Sequence, residues 1–175
     1  METRGENSSQ GAAGDLSHVE HSGSQTRSRM VDVGQKPTSA RSALARAVVV
    51  FPPGLLEHVM AEGGPKGPVT EVARTAGILA AKRTGDLIPM CHPLALDWVQ
   101  IDFEALDDTR LEVRCRTSCT GRTGVEMESM VGASIASLTV YDMTKALSKG
   151  IRLEAVELLE KSGGKSGTWR KGEAG

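Results

Sequence analysis

Aromatic side chains are nearly missing from this sequence. It has two tryptophans, one tyrosine and two phenylalanines, or 3% of 175 residues. Proteins that hold single-stranded nucleic acid stack bases on aromatic platforms, so that class of partner is disfavoured. Charge of one sign is missing too. The 21 lysines and arginines balance 22 aspartates and glutamates, for a net charge of −1. No overall field draws the chain to nucleic acid or to a membrane surface. No apolar run approaches the roughly 18 residues of a membrane span. The N-terminus lacks the basic-then-apolar pattern of a secretory signal. Cysteine is scarce: Cys91, Cys115 and Cys119 make no Cys-x-x-Cys pair and no metal-spaced set. An odd count without a signal peptide fits a reducing cytoplasm. The expectation is a cytoplasmic protein without nucleic-acid, membrane or metal sites. Any anion site must be a local cluster.

The chain is long enough for one domain with a real core. Residues 1–29 are rich in Gly, Ser, Gln and charge, with almost no large apolar groups. Such a segment cannot bury enough surface to offset chain entropy, so it is expected to be a disordered tail. The domain is expected over 30–170, followed by a short C-terminal tail, 171–175. No internal repeat is visible.

Within the domain, Ala45–Phe51 is rich in β-branched residues and ends at Pro52-Pro53, as a strand does. Leu55–Met60 reads as a short helix closed by Gly63-Gly64. Pro68–Lys82 has apolar residues at 69, 72, 76, 79 and 80, a helical stripe, with proline in its first turn. Leu96–Phe103 and Leu111–Thr117 alternate and are joined by a turn of Asp and Thr, which predicts an antiparallel hairpin. Gly124–Ser148 reads as a long helix and Arg152–Leu159 as a last strand. The order β-α-α-β-β-α-β implies an α+β layer, with helices on one face of a mixed, mostly antiparallel sheet.

The stretch LLEKSGGKSGTW, residues 158–169, sets lysines and serines among glycines. It lacks the glycine that a nucleotide-triphosphate P-loop needs five residues before Gly164-Lys165-Ser166. What remains is a loop whose glycines permit positive φ and close approach, able to point several N–H groups at one anion. Lys161 and Lys165 add charge. The other reading is a solvated tail end.

Two further groups carry chemistry. In the long helix, Glu126 and Glu128 stand near one end, Asp142 and Lys145 near the other. Glu128 and Asp142 share a broad face but lie about 21 Å apart along the axis. They serve either two ends of a long ligand or different sites completed by other chains. Asp142 and Lys145 are neighbours at i, i+3, either a surface ion pair or a proton-transfer pair. The second group is Ile88-Pro89-Met90-Cys91-His92-Pro93, where two prolines clamp a Cys-His pair in an irregular segment. A nucleophilic dyad is disfavoured, because adjacent residues of an extended stretch point opposite ways.

The motifs RTGDLIPMCHPL, TGVEMESM, LTVYDMTKA and LLEKSGGKSG, with the opening MVDVGQKPTSAR, resemble the cyclic pyranopterin monophosphate synthase family (MoaC) over about residues 30–169. The resemblance implies a ferredoxin-like α+β domain assembled as a homohexamer, a trimer of dimers, with sites at the dimer interface. It implies rearrangement of a cyclised GTP derivative, 3′,8-cyclo-7,8-dihydro-GTP, to cyclic pyranopterin monophosphate with release of pyrophosphate, in molybdenum cofactor biosynthesis. By the same resemblance, Met90, Cys91 and His92 fall on one substrate-binding segment, and Glu126, Met127 and Glu128 on another. Lys161 and Lys165 hold substrate phosphate. Asp142 falls on the catalytic aspartate, Lys145 on its lysine partner, and Lys66 on a further lysine of the site. One departure is Pro68, where the family usually has aspartate in Lys-Gly-Asp-Val. No tightly bound cofactor is expected, and magnesium only with the substrate phosphates. The rival class is a non-catalytic nucleotide- or anion-binding module, which predicts ligand binding without turnover.

Overall fold

The computed structural model describes residues 19–22 and 25–173. The chain forms two compact units, divided between Asp32 and Val33, and each is described by itself. In the first, β1 (Val19–Ser22) and β2 (Gln25–Ser28) pair antiparallel, with Val19 opposite Ser28. The expectation of a structureless tail therefore fails for these two segments. A hairpin ladder satisfies backbone groups without apolar side chains, so a reading based on apolar content misses it. Residues 1–18 and 23–24 of the expected tail, and 174–175 of the C-terminal one, lie outside the described residues.

The second unit runs β3 (Ser39–Val50), α1 (Leu55–Glu62), α2 (Val69–Ala81), α3 (Thr84–Leu87), β4 (Trp98–Ala105), β5 (Arg110–Gly121), α4 (Glu126–Thr144), β6 (Arg152–Ser162) and β7 (Trp169–Arg170). The strands form one open sheet in the order β4-β5-β3-β6-β7. Every described pairing in it is antiparallel, so the sheet is not mixed. The reason lies in the crossovers. The β5-α4-β6 connection steps over β3, and the β3-α1-α2-α3-β4 connection steps over β5. Strands that run parallel are thereby separated by one that does not. This split βαβ arrangement is the ferredoxin-like topology.

Small residues set how closely the layers pack. The inner face of β3 is Ala43, Ala45, Ala47 and Val49, all buried. α4 crosses it with Gly132, Ala133, Ala136 and Ser137 buried. α2 meets α4 through Gly77, where a Cβ would stand 2.8 Å from the Gly132 carbonyl oxygen and 2.9 Å from Ala136 Cβ. The apolar stripe expected on α2 is accordingly displaced. Val69, Ala73, Gly77, Ala80 and Ala81 are buried, while Val72 and Leu79 are exposed. Backbone proximity, which only small residues allow, outweighs the burial of two larger side chains. Inside α4, buried Ser137 and Thr144 donate to the carbonyls four residues back, at 2.8 and 2.7 Å. Their hydroxyls are thus satisfied within the helix.

Some boundaries differ from expectation. α4 starts at Glu126 rather than Gly124 and ends at Thr144 rather than Ser148. Leu147 N–H turns back to the Thr144 carbonyl, an i to i−3 bond that tightens the exit. Pro68 occupies the N-cap of α2, with no side-chain cap bond, instead of its first turn. The outer face of the sheet is an ion-pair lattice. Arg46 bridges Glu112 at 3.0 Å and Glu157 at 2.5 Å, and Arg114 meets the other side of Glu112 at 2.5 Å. No helix among the described residues is long and apolar enough to cross a membrane.

Candidate active site

The charged residues gather at the two ends of α4. At its C-terminal end, Asp142 accepts from two lysines, one on each oxygen. Lys145 Nζ lies 2.6 Å from Oδ1, and Lys66 Nζ 2.6 Å from Oδ2. All three side chains are about half exposed. The hydrogen bond from Lys145, followed by that from Lys66, pulls the Asp142 carboxyl down to about 2. Lys145 is raised in return by the same bond and by the Asp142 charge. The cluster thus holds an ionised carboxylate under two cations at neutral pH. Lys66 reaches it from the turn between α1 and α2, which Gly64 and Gly67 close with mutual backbone bonds.

At the N-terminal end, Glu128 is 4% exposed. Burial raises its carboxyl pKa, and the neighbouring Glu126 charge adds to the rise. Glu128 shares a small cavity of about 60 Å³ with Arg83 and the Thr84, Gly85 and Asp86 residues that begin α3. The Cys91 thiol is raised, first by its own burial and then by the Glu128 charge. A raised thiol is a poor nucleophile, which agrees with the case against a Cys-His dyad. Met90 and Met127 are exposed and His92 is half-buried. Cys91, Cys115 and Cys119 are all free thiols. Among the described residues, no three His, Cys, Asp or Glu side chains gather as metal ligands do.

Beside this end lies a cleft of about 660 Å³. Lys36, Arg41, Arg122, Lys161 and Lys165 line it, against one carboxylate, Glu126. The SGGKSG loop forms one wall. Gly163, Gly164 and Gly167 all have positive φ, so the loop takes the conformation its glycines permit. A Cβ on Gly163 would overlap the Ala40 carbonyl, and one on Gly164 the Arg41 guanidinium. Lys161 donates to the Ser166 hydroxyl across the loop. Arg41 Nη2 also approaches the Arg122 carbonyl at 3.4 Å. Five cations on glycine-bearing walls suit a polyphosphorylated anion.

Of the residues singled out from sequence, the structure joins Lys66, Asp142 and Lys145 in one cluster. It joins Glu126, Lys161 and Lys165 in the cleft, and sets Cys91 within the field of Glu128. It does not bring the lysine cluster to the cleft within one chain. Lys36, Arg41 and Arg122 escaped the sequence reading. Their signal was position: Lys36 and Arg41 lie in the opening MVDVGQKPTSAR, and Arg122 lies between Gly121 and Gly124.

Topology and site together define a ferredoxin-like α+β protein with an anion cleft and a separate lysine–aspartate cluster. The sequence pattern of the MoaC family matches residues 30–164. Proteins named cyclic pyranopterin monophosphate synthase are similar along nearly their whole length. That of Novosphingobium aromaticivorans is 51% identical over 159 residues, covering 91% of this chain and 99% of its own. That of Chloroflexus aggregans is 46% identical over 165 residues, with coverage of 94% and 98%. That of Thermomicrobium roseum is 47% identical over 158 residues, with coverage of 90% and 93%. The chain belongs to the MoaC family.

Proposed function

We propose that this protein is a cyclic pyranopterin monophosphate synthase of molybdenum cofactor biosynthesis. It converts 3′,8-cyclo-7,8-dihydro-GTP to cyclic pyranopterin monophosphate and releases pyrophosphate. The observation that carries this reading is the Lys66–Asp142–Lys145 cluster, found in a chain that matches proteins of that name almost end to end.

The chemistry follows from the charges. Turning a purine-derived ring into a pterin moves protons at several atoms. Asp142, held at about 2, is a weak base while both lysines bind it. Phosphate oxygens of the substrate compete for those lysines. Once they are drawn away, the carboxylate loses its charge-assisted donors and its proton affinity rises. Substrate binding thereby switches the base on. In the phosphate step, a sugar hydroxyl attacks the α-phosphorus and its proton passes to Asp142. The bond from the α-phosphorus to the α,β-bridging oxygen breaks, and pyrophosphate leaves with its charge neutralised by lysine. The cleft cations grip the phosphate chain. Magnesium arrives with the substrate phosphates, and no cofactor is held tightly.

In this reading the working form is a homohexamer, a trimer of dimers, in the cytoplasm. Each site joins the cleft of one chain to the lysine cluster of another. The length of α4 supports this, since its two charged ends, Glu128 and Asp142, stand about 21 Å apart.

The test is incubation with the cyclised GTP intermediate and detection of pyrophosphate. Stoichiometric release supports the reading. Tight binding without release would favour a non-catalytic anion-binding module instead.

A further inference from the structure

The turn that carries Lys66 meets a steric condition at its base. Gly64 N–H donates to the Gly67 carbonyl at 3.0 Å, and Gly67 N–H to the Gly64 carbonyl at 2.9 Å. Pro65 and Lys66 form the tip between them. A Cβ built on Gly64 would stand 2.9 Å from the Met143 carbonyl oxygen and 2.9 Å from Val69 Cγ2. Neither neighbour yields readily. The Met143 carbonyl is main chain in the last turn of α4, and Val69 is buried at the start of α2. Backbone conformation is not the constraint, because Gly63 and Gly67 have positive φ and Gly64 does not. The constraint is contact distance. Met143 also follows Asp142 directly in the chain, so the seat of the turn and the acceptor of Lys66 are consecutive residues of one helix.

We propose that Gly64 is a positioning residue for the reaction: its missing side chain lets the 64–67 turn seat on the end of α4, which sets Lys66 Nζ 2.6 Å from Asp142. The catalytic part of this inference rests on the proposed reading of Lys66 and Asp142 as site residues. Any side chain at 64 lifts the turn. Alanine lifts it by tenths of an ångström, which a flexible lysine partly absorbs. Valine, bulkier at Cβ, lifts it further.

The experiment is a double-mutant cycle between Gly64→Val and Lys66→Ala, with Gly64→Ala as the milder variant. Steady-state kinetics, melting temperature and the Asp142 carboxyl-carbon titration by NMR are recorded for each protein. Gly64→Val is expected to lower kcat about 100-fold, the scale of a misplacement near 1 Å, with KM nearly unchanged. Gly64→Ala should fall between it and the native chain. In the Lys66→Ala background, Gly64→Val should cost less than about threefold, because both act through where one ammonium group stands. Equal losses in both backgrounds would show that Gly64 acts through the fold, and would overturn the proposal. So would full turnover in Gly64→Val. The titration separates this inference from the reading beneath it. Lys66 helps to hold the Asp142 carboxyl down, so an unseated turn should let it titrate higher. An unmoved titration in Gly64→Val overturns the seating whatever the activity. A raised titration upholds the seating, even if full activity in Lys66→Ala were to remove Lys66 from the mechanism.

Discussion

Lys66 and Asp142 stand 76 positions apart in the chain and 2.6 Å apart in space. That contact ties the turn before α2 to the last turn of α4 and leaves Asp142 between two cations. Exposed ion pairs of this kind add little to stability, so the arrangement is better explained by what it does to the carboxylate. Asp142→Asn is expected to fold with nearly the native melting temperature and to lose about 10²-fold or more in turnover, the scale of a lost acid–base group. Lys145→Ala should lose a similar factor. The double variant should be little worse than either single, because the residues act as a unit. Single-turnover pyrophosphate release in the four proteins checks this, and native activity in Asp142→Asn would remove the residue from the mechanism.

Glu128 gives a prediction with a definite sign in pH. Burial raises its carboxyl in the folded protein, so the unfolded chain releases that proton at lower pH than the native one does. Its contribution is most favourable below the unfolded value, about 4.3, and is lost as pH rises through the folded value. Glu128→Gln, which cannot ionise, should therefore melt above the native protein at pH 7. The difference should vanish below about pH 4. Melting curves across that range check it, and a variant less stable at neutral pH would refute it. If Glu128 serves the proposed site, turnover of the stabler variant should nonetheless fall.

The basic cleft should act on affinity more than on rate. Hydrogen bonds to charged groups contribute about 1.5–3 kcal/mol, and each 1.4 kcal/mol is about tenfold in binding. Arg41→Ala and Lys165→Ala are each expected to raise KM about tenfold or more while kcat changes less. Inhibition by added pyrophosphate should weaken in parallel. Native KM should climb with ionic strength, as screening weakens the five cations of the cleft. A large fall in kcat with unchanged KM would place these residues at the reacting atoms instead.

Composite sites predict complementation between particular variants. Lys66 and Asp142 share one cluster in one chain, so Lys66→Ala and Asp142→Asn subunits should not rescue each other when mixed. Asp142→Asn and Lys165→Ala lie in the cluster and the cleft respectively. Subunits of these two should regain part of the native activity on mixing, because some interfaces then join an intact cluster to an intact cleft. Titration of Asp142→Asn into Lys165→Ala at substrate levels well below the raised KM, read by pyrophosphate release, decides the matter. No rise above the sum of the separate activities at any ratio would count against sites shared between chains.

Much of this was legible in the chain because motifs with chemical meaning are local. The glycines around Lys165, the prolines around His92 and the i, i+3 pairing of Asp142 with Lys145 all announce themselves in short windows. The Lys66–Asp142 contact does not, since it depends on where two distant segments meet. The same holds for Lys36, Arg41 and Arg122, which converge from three loop and strand positions. α2 was misread on its buried face for a different reason. Hydropathy favours Val72 and Leu79, yet the close approach at Gly77 and Gly132 decided the face by size. That no adjacent strands among the described residues run parallel follows from how the crossovers step over a strand, which no local pattern records.

α4 makes the spacing of the site a matter of arithmetic. Each residue of a helix advances about 1.5 Å and turns about 100°. One residue inserted between Glu128 and Asp142 would swing the aspartate about a quarter turn away from Lys66 and shift its phase against the sheet. Four inserted residues would nearly restore the phase but lengthen the span by about 6 Å. The loops at 106–109 and 145–151 face no such rule, because no site residue depends on their pitch apart from Lys145 beside the helix end. Length changes should therefore be tolerated in those two loops, Lys145 aside, but not in the 64–67 turn or the SGGKSG loop, while α4 behaves as a gauge block whose residue count is as much a part of the site as its side chains.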